Sequence, residues 1–233
     1  MEFLESTSFF VRITIYDYCH SESSTKLKFR LIPMIHIGEQ KFYDKIKEKI
    51  LECDELIYEG IGGKRTKFIN GRKKLSEELG LVMQNDALKL RELELKITHG
   101  DFTAEEAKSE WKEVKLSERL KDRIVDPLRL YFMSSKMSRK KLAKFFMKSY
   151  AENHLAYGPS FDEKGTTENF YCARREKKVF EIIKQRMSIE KNHEKVIGIL
   201  YGAGHMDRFS RKLIDNYGYH VCNGQFVKVF NVE

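Results

Sequence analysis

Two histidines and a glutamate stand where they could bind a metal ion. His36 follows the apolar run Lys26 to Ile35 and precedes a helical pattern. His205 occupies the same place behind Lys195 to Tyr201, and Glu59 ends the short run between them. Two imidazoles and a carboxylate form a catalytic metal set that leaves positions open for water and substrate. A metal held so polarises a carbonyl and acidifies water, which suits amide or ester hydrolysis. Each residue also has a plainer reading. His36 could bond only to backbone, Glu59 could pair with a basic residue at a sheet end, and Gly202 and Gly204 could serve only a tight turn.

The elements that must position these residues follow from periodicity. Ser8 to Tyr16 and Lys26 to Ile35 are rich in β-branched and aromatic residues and read as a paired hairpin. Pro33 marks a strand end or bulge, because it cannot donate to a ladder. Gln40 to Cys53 is an amphipathic helix and Asp54 to Ile61 a short strand, which together make a βαβ unit. Lys73 to Glu152 reads as almost wholly helical, with a capping box at Thr103-Ala-Glu-Glu106 and a helix start at Asp126-Pro127. A helix over Glu168 to Met187, the buried run Lys195 to Tyr201, a helix over Met206 to Asn216 and one or two strands from Tyr219 to Val232 complete the chain. The expectation is a single α/β domain over 1–233, a mixed β-sheet flanked by helices, with a helical insertion at about 73–155 between the two halves of the sheet. In open α/β sheets ligands bind beyond the carboxyl ends of the strands, so His36, Glu59 and His205 should share one edge.

The chain has 233 residues, a net charge of +8 and 33% charged residues, enough for one core under solvated helices. A basic surface attracts nucleic acid, anionic lipid or acidic substrates without choosing among them. The helix Ser138 to Tyr150 gathers Lys140, Lys141, Lys144 and Lys148 opposite Leu142, Phe145, Phe146 and Tyr150. Such a helix can lie on anionic lipid or track phosphates. An ordinary helix with its apolar face in the core and its lysines in water explains it better. Cys19, Cys53, Cys172 and Cys222 form no CxxC and read as free thiols in a reducing cytosol. No signal peptide and no stretch of roughly 20 apolar residues is evident, so a cytoplasmic location is expected. His99, His154 and His193 have no partners at ligand spacing. Asp207 and Arg208 follow His205 at a helix start, and Tyr58 and Tyr201 could line the site.

At these residues the sequence resembles the TraB/PrgY/Tiki family, within the wider group of erythromycin esterase-like and ChaN-like proteins. That family carries two GxxH motifs, a glutamate after the first and an arginine before the second. Here they read Pro33-Met-Ile-His36, Leu56-Ile-Tyr-Glu59, Arg175 in Ala173-Arg-Arg-Glu-Lys (with Arg174 the alternative) and Gly202-Ala-Gly-His205. Glu78 to Gln84 and His99 to Glu106 resemble stretches after the glutamate strand. Pro33 replaces the first glycine, and Glu176 stands where the family has Asn or Asp. The resemblance implies a divalent-metal-dependent hydrolase, a metalloprotease-like enzyme acting on a peptide or protein. His36 and His205 would bind the metal (Mn, Co or Zn), and Glu59 would be the third ligand or the general base. Arg175 would stabilise the oxyanion or orient Glu59. ChaN-like members bind haem and PrgY-type members reduce a peptide's activity, so a non-catalytic peptide- or haem-sequestering protein is the alternative. A homodimer stays open.

Overall fold

The architecture is taken from a computed structural model. It describes residues 1–22, 24–60, 73–120, 137–155, 166–167 and 172–233. The strands are β1 (Leu4–Ser6), β2 (Phe10–His20), β3 (Lys28–Met34), β4 (Ile37–Gly38), β5 (Glu55–Tyr58), β6 (Val82–Met83), β7 (Lys96–His99), β8 (Val196–Gly202) and β9 (Tyr219–Asn231). The helices are α1 (Gln40–Leu51), α2 (Gln84–Leu88), α3 (Ala104–Lys112), α4 (Leu116–Leu120), α5 (Arg139–Leu155), α6 (Arg174–Glu190) and α7 (Met206–Tyr217).

The fold is α/β, with a mixed sheet flanked by helices. Seven strands form the main sheet in the order β1-β2-β3-β8-β5-β7, and β9 pairs with β2. β2 runs antiparallel to β1, β3 and β9. β3, β8, β5 and β7 are mutually parallel, which makes this half of the sheet a set of crossovers. The runs Leu31–Met34 and Ile197–Tyr201 are apolar because both faces of these strands are covered: Leu31, Ile32, Ile199 and Tyr201 are all fully buried. α1 buries Phe42, Tyr43, Ile46 and Ile50 at helical spacing, as its periodicity requires.

Pro33 is tolerated inside the sheet for a local reason. β3 is registered with β2 only through Phe29, Arg30 and Leu31. Beyond Leu31 the pairing with β8 continues, and Pro33 sits opposite Tyr201. The proline thus falls where one ladder has already ended.

Two expectations change. The stretch read as almost wholly helical contains β6 and β7, and β7 extends the parallel sheet beside β5. Helical backbone within that stretch stops at Gly80, whose φ of 62° is left-handed, and again at Lys89. Cys19 and Cys222 are not free thiols: they form a disulfide across a sequence separation of 203, with Cα atoms 5.8 Å apart. Spacing along the chain hid this pair, because β2 and β9 bring the two positions onto adjacent strands. Cys53 and Cys172 are free thiols. The capping box is present, with the Thr103 side chain accepting from Glu106 N and the Glu106 side chain accepting from Thr103 N. The helix start at Asp126-Pro127 lies outside the described residues. Among the described residues, no helix is long and apolar enough to cross a membrane.

Candidate functional site

Four parallel strands end at one edge, and each delivers a polar residue there. Met34, the last residue of β3, is registered with Gly202, the last of β8, and His36 and His205 follow. Glu59 follows β5 and continues its ladder by donating its N–H to Leu200 O at 2.9 Å. β7 ends at His99, and Asp101 comes two residues later.

His36, Glu59 and His205 line a single cavity of about 330 Å³ together with the Gly202-Ala-Gly turn. The rest of its wall is mostly apolar, with Leu4, Leu75, Met137, Leu142, Phe145 and Phe146 beside the hydroxyl-bearing Ser149 and Tyr150. α5 supplies much of this wall. Leu142 and Tyr150 are buried, Phe145 is partly exposed, and Lys140, Lys141, Lys144 and Lys148 face outward. The geometry at α5 is therefore that of a helix with its apolar side on the protein.

Glu59 is held from two directions. Its Oε2 accepts from Gly202 N at 2.6 Å, and its Oε1 from Arg175 Nη2 at 2.5 Å. A Cβ at Gly202 would lie 3.2 Å from that Oε2 and 3.5 Å from the His205 ring, so the glycine is what allows the close approach. Burial pushes the Glu59 carboxyl up. The charges of Arg175, His205 and His36 and the Gly202 N–H outweigh it and hold it down at about 2.

Arg175 is itself clamped. Asp101, fully buried, accepts from Arg175 Nε at 2.8 Å and Nη2 at 2.6 Å. The same carboxylate accepts from Gly60 N at 3.0 Å and Phe102 N at 2.7 Å. Burial works against the Arg175 charge, but Glu59 and Asp101 hold its pKa above the ordinary value. Arg174 points elsewhere and pairs with Glu110. Of the two adjacent arginines, Arg175 is the one that meets Glu59.

The two histidines share one feature. His36 Nδ1 lies 2.9 Å from Gln84 Oε1, and His205 Nδ1 lies 2.6 Å from Glu176 Oε1. Each Nδ1 meets a side-chain oxygen, so the neutral tautomer that carries its proton there keeps the lone pair on Nε2. Ligating histidines are commonly oriented this way by an outer oxygen. Glu176 is shared with Arg208, whose Nε reaches both carboxylate oxygens at 2.7 and 2.8 Å. Hydrogen bonds from His205 and Arg208 hold the Glu176 carboxyl low against burial. Asp207 accepts from Tyr150 OH at 2.9 Å.

His36, Glu59 and His205 share the cavity without bringing their ligand atoms within 4.8 Å of one another, although imidazole nitrogens and a carboxylate are ordinary divalent-metal ligands. A tighter group lies beside it: one ligand atom each from Cys172, Glu176 and His205, all within 4.8 Å of one another, so this group could hold a metal ion. Burial pushes the Cys172 thiol up to about 11. Neither Cys172 nor Glu176 lines the cavity. His205 belongs to both groups.

No family model, curated protein or solved structure matches the chain.

The motif reading gives Asp101, Arg208, Gln84 and Cys172 no role and names Glu176 only as a departure from Asn or Asp. With Lys96–His99 a strand, the strand-end rule that finds His36 and Glu59 reaches Asp101 too. Gln84, Glu176 and Cys172 come from helices or from just before one, and no spacing in the sequence ties them to His36 or His205; Arg208 stands three residues after His205, but its pairing with Glu176 joins two helices.

Proposed function

We propose that the chain is a divalent-metal-dependent hydrolase that acts on a peptide or protein. The observation that carries this reading is a cavity lined by His36, Glu59 and His205 together with a mostly apolar wall, both imidazoles oriented through Nδ1. The likeness of the same residues to the TraB/PrgY/Tiki motifs supports it. His36 and His205 would hold the ion through Nε2, with Glu59 as the carboxylate ligand; Mn, Co and Zn all accept such a set. The ion would supply Lewis acidity, which polarises a carbonyl and acidifies water.

The remaining roles fall to the chain. A carboxyl held at about 2 is ionised at every working pH and is a weak base, which favours Glu59 as ligand over general base. Its second lone pairs stay available, since each oxygen accepts one hydrogen bond in the contacts above. Arg175 does not line the cavity, so its part is to orient Glu59 rather than to meet an oxyanion. The apolar wall would exclude water and seat an apolar part of the substrate.

The test pairs metal analysis of purified protein with turnover of a peptide library under Mn²⁺, Co²⁺ or Zn²⁺. His205→Ala and His36→Ala should each lose both bound metal and product. Equal metal content and equal turnover in the native protein and both variants would sink the reading. The salt-bridged state of Glu59 favours a second reading, a non-catalytic protein that sequesters a peptide or haem. Affinity for peptide without product under any of the three metals, or a Soret band after haem addition, would select it.

A further inference from the structure

The Cys172, Glu176 and His205 group differs from the cavity set in one respect that matters chemically: it contains sulfur. Its donor atoms lie within 4.8 Å of one another, and Glu176 and His205 are well covered by protein. Ion-to-ligand distances of about 2.0–2.3 Å place donors within roughly 4 Å of each other, so closing on an ion takes a shift on the order of 1 Å or less. Among the described residues, three carboxylates, Glu59, Asp101 and Glu176, meet two guanidiniums, Arg175 and Arg208, in this cluster of contacts, a balance that favours added positive charge. Arg208 occupies both oxygens of Glu176, but an ionised carboxylate has about four lone-pair sites. The site that His205 now fills is released when its Nδ1 turns to an ion.

We propose that Cys172, Glu176 and His205 form a second ion seat, selective for a thiophilic divalent cation of the zinc class, and that filling it withdraws His205 from the cavity. Thiolate ligands select soft and borderline ions, whereas Mn²⁺ prefers oxygen donors. The exclusion follows from the ring. His205 faces Glu176 with Nδ1, and a neutral imidazole offers one lone pair. With that pair on Nδ1, Nε2 carries the proton and cannot ligate in the cavity. The seat stands on its own geometry; only the exclusion rests on the hydrolase reading.

The experiment uses Co²⁺ added to the full chain, without substrate, and follows the near-ultraviolet thiolate-to-cobalt charge-transfer band. The native protein should develop the band at about one equivalent. Cys172→Ser and Cys172→Ala should lose it, and their Zn²⁺ affinity should fall at least about tenfold. Cys53→Ser and His36→Ala should keep it. No band in the native protein overturns the seat, as does a band that survives in both Cys172 variants or vanishes in Cys53→Ser. In a second arm, Zn²⁺ should inhibit Mn²⁺-supported turnover at least tenfold more weakly in Cys172→Ser than in the native protein. Equal inhibition in the two overturns the exclusion. No turnover at all in the native protein overturns the hydrolase reading and leaves the spectroscopic result to decide the seat.

Discussion

Replacing Arg175 with Met removes the cation that two buried carboxylates share. Asp101 is fully buried and the Glu59 side chain is 19% exposed, so neither can recover its lost partner from bulk water. Removing one member of a buried ion pair costs about 3–5 kcal/mol, because the other is left uncompensated. Holding the Glu59 carboxyl at about 2 rather than the ordinary 4.5 is worth on the order of 3 kcal/mol at neutral pH, a sum to which His205, His36 and the Gly202 N–H contribute beside Arg175. The sign is fixed by the direction of the shift. A depressed carboxyl stabilises the fold above its unfolded pKa and stops doing so as pH falls from about 4.5 toward 2. In Arg175→Met burial acts unopposed by that guanidinium, so the Glu59 pKa rises and protonation relieves the buried charge at a higher pH. Urea unfolding at pH 7 should therefore show a loss of about 3–5 kcal/mol for Arg175→Met. At pH 4 the gap to the native protein should narrow by about 1 kcal/mol or more. Arg175→Lys keeps the charge but not the two-armed contact, and should lose about 1–2 kcal/mol. A pH 7 loss below about 1 kcal/mol, or a gap that does not change with pH, would refute the idea that Arg175 neutralises this pair.

Three further outcomes can be checked. Gly202→Ala should leave thermal stability nearly unchanged while turnover falls about 10- to 100-fold, because the added Cβ meets Glu59 Oε2 at 3.2 Å; comparable kinetics would show that Glu59 need not lie there. Thr103→Ala removes the cap of α3 and should destabilise by about 1 kcal/mol in urea, a change that no variation in metal concentration alters. Reducing the Cys19–Cys222 disulfide should lower unfolding free energy by about 2–4 kcal/mol, and a Cys19→Ser, Cys222→Ser double variant should be insensitive to reductant.

The sequence makes the parallel half of the fold readable and the charge cluster hardly at all. β3, β5 and β8 announce themselves as short apolar runs, and His36, Glu59 and His205 stand directly behind them, so the strand-end rule places all three on one edge. β7 escapes because Lys96-Ile-Thr-His99 is half polar and embedded among helical patterns; among the described residues it pairs with β5 alone, and Ile97, Thr98 and His99 are only partly buried. Asp101 is missed with it. Arg175 is visible through the motif but its register against Arg174 is not, since consecutive helical residues differ only in the face they occupy, and that is a property of packing. Glu176 stands where the motif has Asn or Asp. Its pairing with Arg208 joins α6 to α7, a contact between elements that no local pattern encodes. The disulfide is hidden for the same reason: 203 residues of chain separate two positions that only the β2–β9 pairing makes neighbours.

That pairing also sets an order of events during synthesis. β2 is registered with β9 from Phe10↔Asn231 to His20↔Tyr219, and β3 with β8 from Lys28↔Val196 to Met34↔Gly202. Until the ribosome has released residues 196–231, β3 lacks its parallel neighbour and β2 presents an open edge. A nascent chain that already carries His36, Glu59 and Arg175 still lacks His205 and the Gly202 N–H that holds Glu59. Such distant pairing predicts slow folding with a long-lived exposed edge, and a chain whose solubility during expression depends on how promptly β8 and β9 arrive.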